Sequence, residues 1–206
     1  MVLLRGVNVG RHKRFLPAQL ARDLAAFDVV NVGAAGTFVV RAPVSQAALR
    51  AEVRTRLAFD ADILIVKGRE LIDFSRGGPF GRRPPAKNEQ RFLSVMLKPL
   101  ATPTCPTKRA ARSWKLRSSE GGLALPLTYP ANDKWQVKVV AISGTLVASI
   151  WRRQPGTPIY PNAALEKQFG VSTTRNWNTV ETVCKICNLE SRRHRGLTPE
   201  RSVTGV

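Results

Sequence analysis

The spacing of apolar positions divides the chain into short strands and helices. Val2 to Val9 is an apolar run broken by Arg5 and Gly6, which reads as a buried strand. Leu20, Leu24 and Phe27 recur at helical spacing behind Pro17, whose fixed φ suits a first helical turn. A helix is therefore expected from Pro17 to Phe27. Val29–Val32 and Thr37–Val40 are β-branched runs on either side of Gly-Ala-Ala-Gly, the pattern of two strands and a tight turn. Ser45 stands where an N-cap belongs, and Leu49, Val53 and Leu57 follow on one helical face. Ile63–Val66 reads as a strand and Glu70–Phe74 as a short helical turn. This β-α-β-β-α-β order is that of the ferredoxin-like plait, an antiparallel four-stranded sheet with two helices on one face.

Gly77 to Pro85 (G-G-P-F-G-R-R-P-P) is dense in chain breakers and reads as a linker. Beyond it, Phe92–Leu97, Leu123–Leu127, Trp135–Ile142 and Leu146–Trp151 read as strands, the last two joined by a hairpin turn at Ser143-Gly144. Pro161 to Phe169 is a helix closed by Gly170, and Asn178 to about Leu189 a second one. The expected organisation is a domain over 1–85, a second over 86–190 with two C-terminal helices, and a basic, aperiodic tail over 191–206 that reads as disordered.

Charge changes the picture more than composition does. Of 206 residues, 43% are hydrophobic, which is ordinary. Yet 33 Lys+Arg stand against 14 Asp+Glu, a formal net charge of +19. Residues 1–85 carry 14 basic and 7 acidic groups and residues 86–206 carry 19 and 7, so the excess is not confined to a tail. Such an imbalance costs self-repulsion unless a polyanion or salt screens it, and it points to nucleic acid, acidic proteins or another anionic partner. The three cysteines, Cys105, Cys184 and Cys187, are an odd number and argue against a disulfide framework. The first residues are too sparingly apolar for a secretion signal, and no run approaches about 18 apolar residues. The expectation is a cytoplasmic protein that does not engage a membrane.

Several segments together carry a family likeness: L-L-R-G-V-N-V-G (Leu3–Gly10), L-P-A-Q-L, N-V-G-A-A-G-T-F-V-V (Asn31–Val40), G-P-F (Gly78–Phe80), N-A-A-L-E-K-Q-F-G-V (Asn162–Val171) and T-R-N-W-N-T-V (Thr174–Val180). With these the chain resembles a bacterial family of unknown function, number 1697 among such domains, to about residue 190. The resemblance implies an α+β protein of two tandem ferredoxin-like domains and no established activity. In two turns the chain differs from the family's pattern: Ala35-Gly36-Thr37 stands where Ser-Gly-Asn is typical, and Gly78 where an asparagine precedes Pro-Phe.

Four stretches are candidates for chemistry. In Ser172–Val180, Asn178 lies three residues before Glu181, the spacing of a capping box, and Trp177 can cover apolar surface. Most of R-N-W-N-T then reads as helix entry. Arg175 and Asn176 are left over, beside a helix N-terminus able to bind an anion. Leu3 to Arg14 ends in Arg11, His12, Lys13 and Arg14 behind Gly6 and Gly10, glycines that let a backbone approach a phosphate. It lacks the P-loop pattern, and a solvated basic loop explains it equally. Thr107–Arg117 interleaves Trp114 with Lys108, Arg109, Arg112, Lys115 and Arg117, which suits phosphates and a stacked base, or a core tryptophan among solvated charges. Cys184 and Cys187 share a helical face with Val180 and Val183 and read as core residues, with no metal site expected. No paired carboxylates, G-x-S-x-G, H-E-x-x-H or dinucleotide fingerprint is present, and no cofactor is expected.

Three functional readings follow. The first is a non-catalytic nucleic-acid binder, RNA before DNA, holding phosphates through Arg11, Lys13, Arg14 and the Lys108–Arg117 cluster. The plait is the platform of RNA-recognition modules, but Arg91–Leu97 has one aromatic where their pattern alternates several, so backbone contacts are expected rather than base reading. The second is an enzyme or sensor for a small anionic ligand held between the domains by Arg5, Asn8, Gly10, Arg175, Asn176 and Trp177. The third is a module for an acidic protein partner.

Overall fold

The structure, a computed structural model, describes residues 1–7, 15–100, 115–119 and 122–196. Two antiparallel sheets and five α-helices are built from these residues. The first half runs β1 (Val2–Arg5), α1 (Pro17–Asp23), β2 (Val29–Asn31), β3 (Thr37–Val40), α2 (Gln46–Arg56), β4 (Asp62–Ile65) and α3 (Gly68–Arg76). Its sheet has the order β2-β3-β1-β4, every pair antiparallel. The expected first helix is shorter than its periodicity suggests. It stops at Asp23, and Ala25–Phe27 forms a 3₁₀ turn closed by Asp28 in the left-handed region at φ 49°. Ser45 caps α2 as expected, its Oγ accepting from the Ala48 N–H at 3.1 Å.

The second half follows as β5 (Glu89–Met96), β6 (Lys115–Ser119), β7 (Gly122–Tyr129), β8 (Val137–Ser143), β9 (Leu146–Arg152), α4 (Pro161–Phe169), β10 (Ser172–Asn176) and α5 (Trp177–Gly196). Its sheet has six strands in the order β10-β5-β9-β8-β7-β6. This departs from a second four-stranded plait. β7, β8 and β9 are consecutive antiparallel neighbours, and the connections between them are too short for a crossover helix. Neither β6 nor β10 is marked by the hydrophobic pattern. The last helix continues to Gly196, past its expected end and into the segment read as a tail; residues 197–206 lie outside the described residues.

Three apolar cores hold these layers together. Val2, Leu4, Phe38 and Ile63 on one face of the first sheet pack against Leu20 and Leu24 of α1 and Leu49 and Val53 of α2. Leu3, Val39, Leu64 and Val66 on the opposite face join Leu93, Val95 and Leu146 of the second sheet, Leu71 of α3 and Trp177, Val180, Val183 and Cys184 of α5. The third core lies on the other face of the second sheet, where Met96, Val139, Val147 and Trp151 meet Ala164 and Leu165 of α4. The middle core joins the two halves. It also buries the face of the first sheet that an RNA-recognition module would leave bare, with Leu3 at 0% and Val39 at 2% exposure. Cys184 lies in this core and Cys187 packs against it, so both are seated as the helical spacing suggests. Burial pushes the Cys184 thiol above its usual range.

Candidate functional site: a cleft between the two sheets

S-T-T-R-N is a strand, not a helix approach. β10 pairs antiparallel with β5 from Ser172 opposite Met96 to Asn176 opposite Phe92. The Ser94 and Thr174 hydroxyls meet at 2.6 Å across this pair. Helix α5 begins directly after it, at Trp177. The cap is Asn176, whose Oδ1 accepts from the Asn178 N–H at 3.0 Å. Asn178, read from the sequence as the cap, lies inside the first turn and accepts from Thr182 Oγ1 through its carbonyl. The reason is register: pairing with β5 keeps the backbone extended through Asn176, so the helix can start one residue later.

The strand carries Arg175 across to the first half of the molecule. Its Nε donates to Thr37 Oγ1 at 2.6 Å. Its Nη1 donates to Thr173 Oγ1 and the Thr174 carbonyl, at 2.8 and 2.9 Å. Its Nη2 donates to the carbonyls of Leu4, Ala35 and Gly36, at 2.9, 2.6 and 3.4 Å. All six acceptors are uncharged, and no carboxylate pairs with Arg175 among the described residues. Burial pushes its guanidinium down to about 10, still charged at neutral pH. The loop it grips is also held by the Leu4 N–H, which donates to the Gly36 carbonyl at 2.8 Å. Gly36 has φ +68°, and a Cβ there would come within 3.0 Å of Leu4 Cβ. Glycine is what allows the loop to lie this close to β1.

Between this loop, the end of β1, the start of α4 and the edge strand β10 lies a cleft of about 770 Å³. Arg5, Gly6 and Val7 form one side, Ala34 and Ala35 another, and Tyr160, Asn162, Glu166 and Ser172–Arg175 the rest. Arg5 is held by Glu166, with Nε and Nη2 donating to its two carboxylate oxygens at 3.0 and 3.1 Å. Its Nη1 donates to Asp62 Oδ2 at 2.9 Å. The Glu166 hydrogen bonds first, then Asp62, raise the Arg5 pKa above its ordinary value against the opposing effect of burial. Ser172 Oγ is buried at the cleft wall with no partner among the described residues. Tyr160 is 50% exposed at the rim and stacks on Trp151, ring centroids 5.2 Å apart and planes 16° apart.

The sequence-derived candidates separate into three groups. Arg5 and Arg175, 170 positions apart in sequence, line one cleft. Trp177 does not: it is 8% exposed in the middle core, edge-on to Phe80 at 4.8 Å between centroids. Asn176 serves as a cap. Asn8, Gly10, Arg11, Lys13, Arg14, Lys108, Arg109, Arg112 and Trp114 lie outside the described residues. Lys115 and Arg117 belong to β6, where Lys115 is in register with Thr128 of β7. Of the cleft residues not singled out as candidates from the sequence, Ser172 and Asn162 lie at the heads of segments already marked, Ser172–Val180 and Asn162–Val171, and Tyr160 carries no motif of its own. Only the unexpected strand β10 and the approach of α4 to it bring them together.

Among the described residues, no group of three His, Cys, Asp or Glu side chains could hold a metal ion. No described helix is long and apolar enough to cross a membrane. No curated protein and no solved structure matches the chain. Residues 1–115 match the family described as "Protein of unknown function (DUF1697)", a match that runs from β1 through the linker and β5, and the chain belongs to that family.

Proposed function

We propose that the chain binds a small anionic ligand in the cleft between its two sheets. One observation carries this reading. Four segments that resemble the family, far apart in sequence and the first two inside the matched residues 1–115, meet there: Leu4–Val7, Ala34–Ala35, Asn162 with Glu166, and Thr174–Arg175. Arg175 supplies a positive charge with no paired carboxylate among the described residues. Its N–H groups are engaged, so it attracts an anion through its field rather than by direct hydrogen bonds. Asn162, exposed in the cleft, can donate to a ligand directly. Tyr160 supplies a flat apolar wall. The strand order and antiparallel pairing of residues 1–76 support reading the first half as a ferredoxin-like plait, whose end forms one wall of the site.

The test is a thermal-shift series with phosphate, pyrophosphate and small dicarboxylates. At 100 times its dissociation constant, a ligand stabilises by about 2.7 kcal/mol, which for a chain of this size raises the midpoint by roughly 5–10 °C. Asn162→Asp places a carboxylate on an exposed cleft residue and should abolish the shift while leaving the ligand-free midpoint within about 2 °C. No shift with any of these anions at millimolar concentration, or an equal shift in the variant, would overturn the proposal.

A further inference from the structure

The second sheet carries a different concentration of charge, on residues that do not line the cleft. Cross-strand register places Arg91 of β5 opposite Ile150 of β9, and Ile150 opposite Lys138 of β8. Arg152 of β9 lies opposite Glu89 of β5 and donates to its carboxylate at 3.2 Å. Two cations lie over one ring: Arg152 Cζ is 3.6 Å and Lys138 Nζ 4.2 Å from the centroid of Trp135. Arg91 lies 4.9 Å over the Phe80 ring and donates through Nη2 to the Arg83 carbonyl, which ties the exposed Arg83 to the same surface. Arg152, Lys138 and Arg83 thus act on one carboxylate, Glu89, among the described residues, with Arg91 beside them on the same sheet face. Burial and then the charge of Arg152 lower the Lys138 pKa, with Arg83 adding to the effect and Glu89 opposing it. Glu89, although burial works against it, is held below its ordinary value by hydrogen bonds from the Ala86 N–H and Arg152.

We propose that this patch binds the phosphate backbone of a single nucleic-acid strand, independently of the cleft. Crowded cations with one counter-charge are relieved by an external polyanion, and phosphates supply it. Trp135 is 7% exposed beneath its two cations, so base stacking on it is excluded and the contact is to the backbone. Arg91 and Lys138 lie two strand spacings apart, about 10 Å. A flexible strand can gather successive phosphates onto a patch of that size. A duplex, straight over about 150 base pairs, touches it with far fewer.

Fluorescence anisotropy with a labelled single-stranded RNA across a salt series tests this on the full chain. With three phosphates engaged, log K should fall against log salt with a slope of about −2, since single strands give about −0.7 per phosphate. The double variant Arg83→Gln/Lys138→Gln should flatten the slope by about 1.4, with an unchanged thermal midpoint as the check on folding. Saturating pyrophosphate at the cleft should leave the wild-type slope as it is. A double variant that folds normally and keeps the wild-type slope would overturn the proposal. So would equal affinity for a duplex of the same sequence, or binding indifferent to salt.

Discussion

At the cleft, Arg175 is wrapped by six neutral oxygens and Arg5 by three carboxylate oxygens. At the basic end of the second sheet, Arg83, Lys138 and Arg152 act on the carboxylate of Glu89 among the described residues, with Arg91 alongside. The residue types are the same, but their charges are handled differently. Arg175 is fixed by hydrogen-bond geometry, so its charge is placed rather than neutralised. Arg5 is neutralised in place. The sheet cations repel one another at short range, and the ring faces beneath them offer only weak compensation. A rigid, prepaid cation suits one small ligand in a defined pose. A loosely compensated cluster suits a partner that brings many charges and little shape.

The largest way to break this contrast is to remove the Arg175 fork. Arg175→Met leaves the hydroxyls of Thr37, 0% exposed, and Thr173, 5% exposed, without their donor. Stranded buried acceptors cost about 1–3 kcal/mol each. A loss of at least about 3 kcal/mol, or roughly 6–12 °C in the midpoint, is expected by calorimetry. Arg175→Lys keeps the charge but cannot reproduce a planar fork, and should recover less than half of that loss. Full recovery by lysine would mean that charge, not hydrogen-bond geometry, is what the strand needs there.

That arginine also marks where sequence reading stops. Its membership in R-N-W-N-T is legible, and so is the first sheet, because β1, β3 and β4 are short apolar runs that stand out from their surroundings even though β1 pairs with strands far along the chain. The strand beneath Arg175 is not legible. Ser172, Thr173 and Thr174 are polar, and they form a strand, buried at its first two residues, through pairing with β5 from a distant part of the chain, where Ser94 and Thr174, 80 residues apart, also bond. Nor is the role of Trp177. Beside an arginine and two asparagines it looks like part of a site, yet the first turn of α5 rotates it into the middle core against Phe80. The six-stranded second sheet is hidden for a related reason. A meander and a plait present similar runs of strand residues, and only connection lengths and long-range pairing tell them apart.

A smaller change separates the two cleft arginines. Glu166→Gln removes the bidentate partner of Arg5. The pair is partly exposed, at 36% and 27% of the two side chains, so the stability cost should be about 1 kcal/mol or less. Anion affinity at the cleft should move the other way, because a negative charge is gone and one of the Arg5 donors, Nε or Nη2, loses its acceptor. Tighter binding in a slightly less stable protein, measured by calorimetric titration with pyrophosphate, would sharpen the distinction between a placed charge and a neutralised one. Weaker binding would mean that Glu166 itself holds the ligand.

The smallest effect probes the crowded patch alone. Lys138→Gln removes one cation from the group around Glu89 and also its contact with Trp135. The two losses oppose each other, so the net change at neutral pH should be within about 0.5 kcal/mol. Their dependence on conditions separates them. The contact with the ring is short-ranged and changes little with salt, whereas repulsion among cations is screened. Added salt should therefore stabilise the wild type more than the variant. Raising the pH should do the same. The folded state disfavours charged Lys138, so the penalty is fully present below its depressed folded pKa. It disappears as the pH rises from there through 10.5, the ordinary value, because the unfolded chain binds the extra proton across that window. A wild type whose stability relative to Lys138→Gln is flat in both salt and pH would show that the patch is already compensated, and the case for a polyanion there would fall with it.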